Sequence, residues 1–224
     1  TGHSSLREKI MGRNNVFRAA SLAEIDKMKK ALASDLQKGS FGLSTGLEYE
    51  SAFYSSKEEV IALAQVAAYF KRGYISHIRS EDIQLKDAID EIIEIGKRTG
   101  IPVKLSHIKI ANKQDWGKAN QVIQTLDSAR KAGIDITADV YPYTFWNSTL
   151  RVLFPDKKFT SLKSAELATR QLFDPAESVL VRFAPYPSYA GKTIAAIAKE
   201  REESTPATLI QLIKMAEAYK KANP

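Results

Sequence analysis

Four glycines, Gly39, Gly73, Gly100 and Gly133, recur about every thirty residues, and each is followed by a short apolar run. The runs are FGLSTGLEY, YISHIR, PVKLSHIK and IDITADVYPY. Thirty residues is the length of one strand, one helix and two connections. Strands joined by helices of this size must run parallel, because an antiparallel return needs only a tight turn. The period therefore predicts four consecutive βα units. Such a series forms either half of a (β/α)8 barrel or part of an open doubly wound sheet.

The segments between the runs carry helical signals. Ser21 with Glu24 forms a capping box, and Leu22, Ile25, Met28, Leu32 and Leu36 follow at helical spacing. Ser56 with Glu59 repeats the pattern before Val60, Leu63, Val66, Ala67 and Phe70. Ser80 is expected to open a third helix, with Leu85, Ala88, Ile89 and Ile92 inward. A fourth is expected over 115–132, with Val122, Ile123, Leu126 and Ala129. Each of the four glycines suits the left-handed position just past a helix end.

Past residue 143 the regularity breaks. A helix near 161–173, a short strand at SVLVRFAP, a helix at GKTIAAIAKEREE and one at TPATLIQLIKMAEAYKKA capped by Thr205 are expected. The organisation read from this is 1–143 as the βα units, 144–204 as an inserted subdomain on the catalytic side, and 205–224 as a further barrel helix. The opening TGHSSLREKIMG reads as a loop leaving an earlier strand, and the chain reads as an internal piece of a longer one.

Composition limits the functions. No apolar run approaches the roughly 18 residues of a membrane-spanning helix, so no membrane role is expected. The net charge is +7, but the lysines alternate with acids along helices, as in KMKKALASDLQK, which predicts a solvated surface and no nucleic-acid partner. With no cysteine, disulfides and thiolate ligands are excluded within these residues. There is no signal-peptide pattern, and a cytoplasmic location is expected.

Of three histidines, His77 and His107 share one setting: apolar, Ser, His, Ile, basic. They are too far apart to share a helix face. They meet only if they end neighbouring parallel strands, and the glycine period supplies such strands. In a barrel, active-site residues gather where strands end and βα loops begin. Tyr49, His77, His107, Lys109 and Tyr141 all fall there, which favours the barrel. Imidazoles are good ligands for zinc and similar divalent ions. Two histidines alone leave open both a metal site and a pair of hydrogen-bonded strand-end side chains.

GHSSLREKIMG, GLSTGLEYES, GYISHIRSE, PVKLSHIKIANKQDWGKA and DITADVYPYTFWNSTL together resemble the N-acyl-D-amino-acid deacylases (D-aminoacylases) of the amidohydrolase superfamily. GKTIAAIAKEREESTPATLIQLI is similar to the same family after its barrel insertion. The resemblance implies a metal-dependent TIM barrel, here partial, with its terminal strands and small β-sandwich outside these residues. It implies one or two divalent metals, zinc first, with His77 and His107 as ligands. Lys109 matches a lysine on the substrate-carboxylate side, and Tyr49, Tyr141 and Ser148 match residues of the substrate pocket. Tyr49 is placed to polarise the acyl oxygen. Arg79 and Glu81 match the HxRxE pattern and are expected as a buried pair that fixes a ligand. The implied reaction is metal-assisted hydrolysis of the amide of an N-acyl amino acid.

Three family features are not in this sequence: the first-strand His-x-His pair, the metal-bridging residue and the late-strand aspartate that moves the proton. A chain with His77 and His107 alone is expected to turn over little or nothing. Two other readings stand beside this one: a non-catalytic half-barrel that associates through its open edges, and a cyclic amidase of the dihydroorotase or hydantoinase type. His3 is expected as a surface or hydrogen-bonding residue, and Asp139 as structural.

Overall fold

The computed structural model describes residues 1–223. The elements in chain order are α1 (His3–Met11), α2 (Leu22–Gln37), β1 (Gly42–Gly46), α3 (Glu50–Phe53), α4 (Lys57–Tyr69), β2 (Gly73–His77), α5 (Leu85–Thr99), β3 (Val103–Leu105), α6 (Ala119–Lys131), β4 (Ile136–Ala138), α7 (Leu162–Leu167), α8 (Ile194–Glu200) and α9 (Thr205–Ala222). They form two compact units, one of residues 1–110 and 117–144, the other of 111–116 and 145–224.

In the first unit the four strands are parallel and lie in the order β1-β2-β3-β4. Alternation along each strand gives the sheet two unlike faces. Leu43, Tyr74, Val103, Leu105 and Ile136 lie on one face, buried in a common core with Val60, Leu63, Ile92 and Ile95 of the helices. Thr45 and Ser76 share this face; Thr45 Oγ1 is 2.7 Å from the Tyr74 hydroxyl and 2.8 Å from Ser76 Oγ, which satisfies these buried groups. Burial pushes the Tyr74 phenol up to about 12. The opposite face carries Ser44, Ile75, Lys104 and Thr137, and Ile75 is 37% exposed. A doubly wound sheet covers both faces with helices. Covering one face only is the arrangement of part of a (β/α)8 barrel.

Local chemistry explains most boundaries. The Ser21 side chain accepts from the Glu24 N–H while Glu24 reaches back to the Ser21 N–H, and Ser56 accepts from the Glu59 N–H. Gly39, Gly100 and Gly133 have φ of 102°, 69° and 86° just past their helices, as expected. Gly73 differs. It begins β2, and Lys71 takes the left-handed turn with φ 54°. A Cβ at position 73 would come within 3.3 Å of the Pro102 carbonyl oxygen, and one on its neighbour Gly42 would stand 2.3 Å from the Gly73 carbonyl oxygen, so close backbone approach is what this pair requires.

Other expectations are corrected. HSSLREKIM is a helix, and Gly2 before it bridges Ser44 of β1. The third helix begins at Leu85, because Ser80 caps a tight turn of its own, accepting from the N–H of Asp82 and of Gln84. SVLVRFAP forms an isolated bridge, Val179 to Thr193, in place of a strand. Ser204, one residue before Thr205, caps α9.

The second unit has its own core, in which Phe154, Ala165, Leu172, Phe183 and Ile197 join Leu209, Leu212 and Ile213 of α9. Helix α9 packs against α7 and α8 within this unit. Among the described residues, no helix is long and apolar enough to cross a membrane.

Candidate metal centre

His77 is the last residue of β2, on the face away from the helices, with only 11% of its side chain exposed. His107 follows β3. The two positions are not equivalent in register: Ser76 pairs with Leu105, so His107 lies one residue beyond the level of His77. Strict alternation would send His107 toward the helices with Leu105. The backbone breaks the alternation, because His107 has φ 40°, in the left-handed region. Non-glycine residues there cost free energy and are held by their surroundings. Here Asp139 supplies the hold. Its carboxylate accepts the His107 N–H, its carbonyl accepts the Ile108 N–H at 2.9 Å, and its own N–H donates to the Leu105 carbonyl at 3.1 Å. Lys104 Nζ lies 2.7 Å from the same carboxylate. These two partners, Lys104 first, keep Asp139 below its ordinary value.

The result is that the rings meet. His77 Nδ1 and His107 Nε2 are 3.2 Å apart, with ring centroids at 4.8 Å. Two nitrogens bound to one tetrahedral zinc at about 2.0–2.1 Å stand roughly 3.3–3.4 Å apart. His77, Glu81 and His107 each offer a ligand atom within 4.8 Å of the others. Two imidazoles and a carboxylate are a donor set that suits zinc.

The outer nitrogens are also engaged. His77 Nε2 is 2.7 Å from Glu48, and His107 Nδ1 is 3.0 Å from Glu81. A carboxylate only accepts, so each imidazole carries its proton on the outer side and turns a lone pair inward. Facing lone pairs at this distance need a positive charge between them. A cation supplies it. Without one, the proton of His107 moves to Nε2 and bonds to His77, while Nδ1 accepts from Lys109 Nζ, which is 2.9 Å away. Lys109 also donates to Glu81 at 2.6 Å. Two glutamates against one lysine leave the local field favourable to a cation.

The remaining predicted residues divide. Tyr49 lies against the site, its ring 4.7 Å from that of His77. Gly46 makes room for it, since a Cβ there would come within 2.8 Å of Tyr49 Cδ2. Tyr141 lies near Lys109, whose Nζ is 5.5 Å from the ring centroid, and burial followed by the Glu81 charge raises its phenol. Ser148 belongs to the second unit and is exposed there. The expected Arg79–Glu81 pair is corrected: Arg79 forms a two-pronged bond to Glu91, at 2.8 and 2.7 Å, and donates to the Phe53 carbonyl. It ties the strand end to α5 and α3, while Glu81 serves His107 and Lys109. His3 is fully buried against Glu59 and Arg7. Sequence reasoning passed over Glu48. Its signal was its place beside Tyr49, at the end of an apolar strand.

No protein-family model matches the chain. An N-acyl-D-glutamate deacylase of Alcaligenes xylosoxydans xylosoxydans is 31% identical over 88% of this chain and 36% of its own length. Among solved structures, an N-acyl-D-glutamate deacylase from Bordetella bronchiseptica, complexed with zinc and a phosphonate mimic of the tetrahedral intermediate, superposes with a TM-score of 0.79 at 28% identity. A D-aminoacylase described as defining a novel subset of amidohydrolases gives 0.77 at 27%. Each superposition covers 94% of this chain and 40% of the other. The chain thus spans less than half the length of the proteins it matches. Over most of its own residues, its homologues and structural neighbours are thus N-acyl-D-amino-acid deacylases (D-aminoacylases), which are amidohydrolases.

Proposed function

We propose that the chain forms part of the catalytic barrel of a zinc-dependent hydrolase that cleaves the amide bond of N-acyl-D-amino acids. The observation that carries this reading is the 3.2 Å approach of His77 Nδ1 and His107 Nε2. It occurs on a sheet matched by deacylases named for that substrate class. His77 and His107 would hold the ion, with Glu81 in reach. A divalent cation there lowers the pKa of water toward about 7 and polarises a carbonyl.

The chain's own side chains bind and orient. The Lys109 ammonium is placed beside His107 to meet the carboxylate of the substrate, which then competes with Glu81 for it. Tyr49, against the face of His77, donates to the acyl oxygen as charge develops on it. Tyr141 walls the lysine on its open side. The proton delivered to the leaving amine requires a further acid–base group. The aspartate that the family resemblance assigns to this task is not among the 224 residues. These residues alone are therefore expected to bind zinc and not to turn over.

Calorimetric titration of the full chain with zinc, joined to an assay of N-acetyl-D-glutamate hydrolysis, tests the reading. Wild type is expected to bind about one equivalent, and His77→Ala and His107→Ala to bind at least tenfold more weakly, with hydrolysis at background in all three. Equal uptake by the three proteins removes the reading.

A further inference from the structure

Glu48 is 4% exposed, and its carboxylate is 2.7 Å from His77 Nε2. We propose that Glu48 is a positioning residue that holds the His77 ring with Nε2 protonated and Nδ1 presented to His107 and to a divalent cation. The inference rests on the reading of His77 and His107 as cation ligands. It deepens that reading by naming what selects the nitrogen that His77 offers.

An imidazole has two nitrogens, and which one is free to bind a metal is set by the hydrogen bond that the other makes. A carboxylate accepts and never donates, so its place beside Nε2 selects one tautomer. The backbone fixes that place. The Leu47 N–H donates to the His77 carbonyl at 3.0 Å, carrying the β1–β2 pairing one residue past β1. Glu48 is therefore anchored next to a residue hydrogen-bonded to His77 itself. The Tyr49 N–H then donates to the Gly46 carbonyl at 3.2 Å, and the tight turn brings the Tyr49 ring over His77 at 34° to its plane. Flipping the His77 ring would break the bond to Glu48 and move Nδ1 away from His107. The four residues Gly46–Tyr49 thus form a cradle in which Glu48 holds the edge of the imidazole and Tyr49 covers its face.

With a cation between the rings, Glu81 would do the same for His107 through Nδ1, displacing the contact of that nitrogen with Lys109 Nζ. The two glutamates act on opposite nitrogens, and this is what lets unlike atoms, Nδ1 of one ring and Nε2 of the other, face each other. Outer partners of metal-binding histidines typically change affinity by about 10–100-fold when removed.

The test uses the full chain as wild type, Glu48→Gln and Glu48→Ala. Long-range proton–nitrogen correlation spectra of the metal-free proteins at about pH 8, where imidazoles are neutral, report the tautomer of each histidine. Cobalt(II) titration of the same proteins reports affinity. His77 is expected in the Nε2-protonated form in wild type and in Glu48→Gln, whose amide oxygen still accepts, and as a mixture in Glu48→Ala. Cobalt affinity is expected to fall less than about tenfold in Glu48→Gln and about 10–100-fold in Glu48→Ala, with unchanged far-ultraviolet dichroism. The proposal is overturned if wild-type His77 carries its proton on Nδ1. It is also overturned if Glu48→Ala binds cobalt within twofold of wild type while His77→Ala does not bind. Failure of wild type to take up cobalt would remove the ligand reading, and the tautomer spectra would still decide the part played by Glu48.

Discussion

His107 reaches His77 because one residue departs from strand geometry. Its φ of 40° turns the chain after β3, and Asp139 holds both sides of that turn. Strain of this kind costs about 1–3 kcal/mol and persists only where neighbours enforce it. Asp139→Ala is therefore expected to weaken zinc affinity by about tenfold, since release of the turn lets the ring leave its partner. Asp139→Asn keeps an acceptor for the His107 N–H and should fall between. Calorimetric affinities of the three proteins check this, and equal values would show that the turn holds itself. The sequence made the two histidines legible through their shared Ser-His-Ile setting and the strand period. It did not reveal that they are offset by one residue in register, because register depends on how strands slide against each other and both SHI motifs read alike at any offset. The same gap hid the partners: Arg79 and Glu81 are neighbours in the motif, yet their side chains go to Glu91 and to Lys109. Asp139, read as structural, has its clearest contacts with the backbone.

Secondary structure was legible where local chemistry decides it. The Ser21 capping box, the Ser56 cap, most of the apolar stripes and three of the four glycines stand where the pattern put them, whereas Glu59 turns to His3 and Arg7 and Leu22 and Ile123 are exposed. Gly73 was a glycine for another reason, and its demand comes from the neighbouring strand. Gly42→Ala should cost about 2 kcal/mol or more, because its Cβ would meet the backbone oxygen of Gly73 at 2.3 Å and neither strand can yield without parting. Urea denaturation measures it, and a loss under about 0.5 kcal/mol, the usual scale of a harmless surface change, would contradict the packing.

Helix α1 was missed because its faces are unusual. It buries Arg7 and His3, which pair with Glu59 of α4. Burial holds His3 below its ordinary value. Above about pH 6.5 His3 is neutral folded or unfolded, and its contribution is fully present. As pH falls below that value the unfolded chain takes up a proton that the folded chain refuses, so stability is lost. Burial opposes ionised Glu59, but its bonds from His3 and Arg7 outweigh that and keep it below the usual carboxylate range. A second loss is expected as pH falls below about 4.3. Urea midpoints from pH 8 to 5 should decline less in His3→Gln than in wild type, and parallel declines would contradict the role of His3.

The chain has two cores, and the helix pattern alone could not assign α9 to one of them. Its apolar stripe looks the same whether it covers a sheet or a second cluster of helices, and the structure places Leu209, Leu212 and Ile213 with Phe154 and Phe183. Separate cores predict separate unfolding. Leu212→Ala should shift one denaturation transition and Ile92→Ala the other, each by about 2–5 kcal/mol. A single transition shifted by both would show one cooperative unit. In the first unit β1 and β4 are the outer strands of the sheet. Part of the outer edge of β1 is taken up by Thr1 and Gly2, which bond to Gly42 and Ser44, and an edge stretch left unpaired favours association. The barrel was legible because strand period and strand-end chemistry pointed the same way. How much of a full catalytic site these residues hold was legible only as the family's missing features.

Zinc K-edge absorption spectroscopy of the full chain loaded with one equivalent of zinc examines the site itself. Two imidazole nitrogens at about 2.0–2.1 Å are expected in the first shell, falling to one in His77→Ala and in His107→Ala. A shell of oxygen ligands alone, or the same spectrum from all three proteins, would mean that these two rings do not grip an ion.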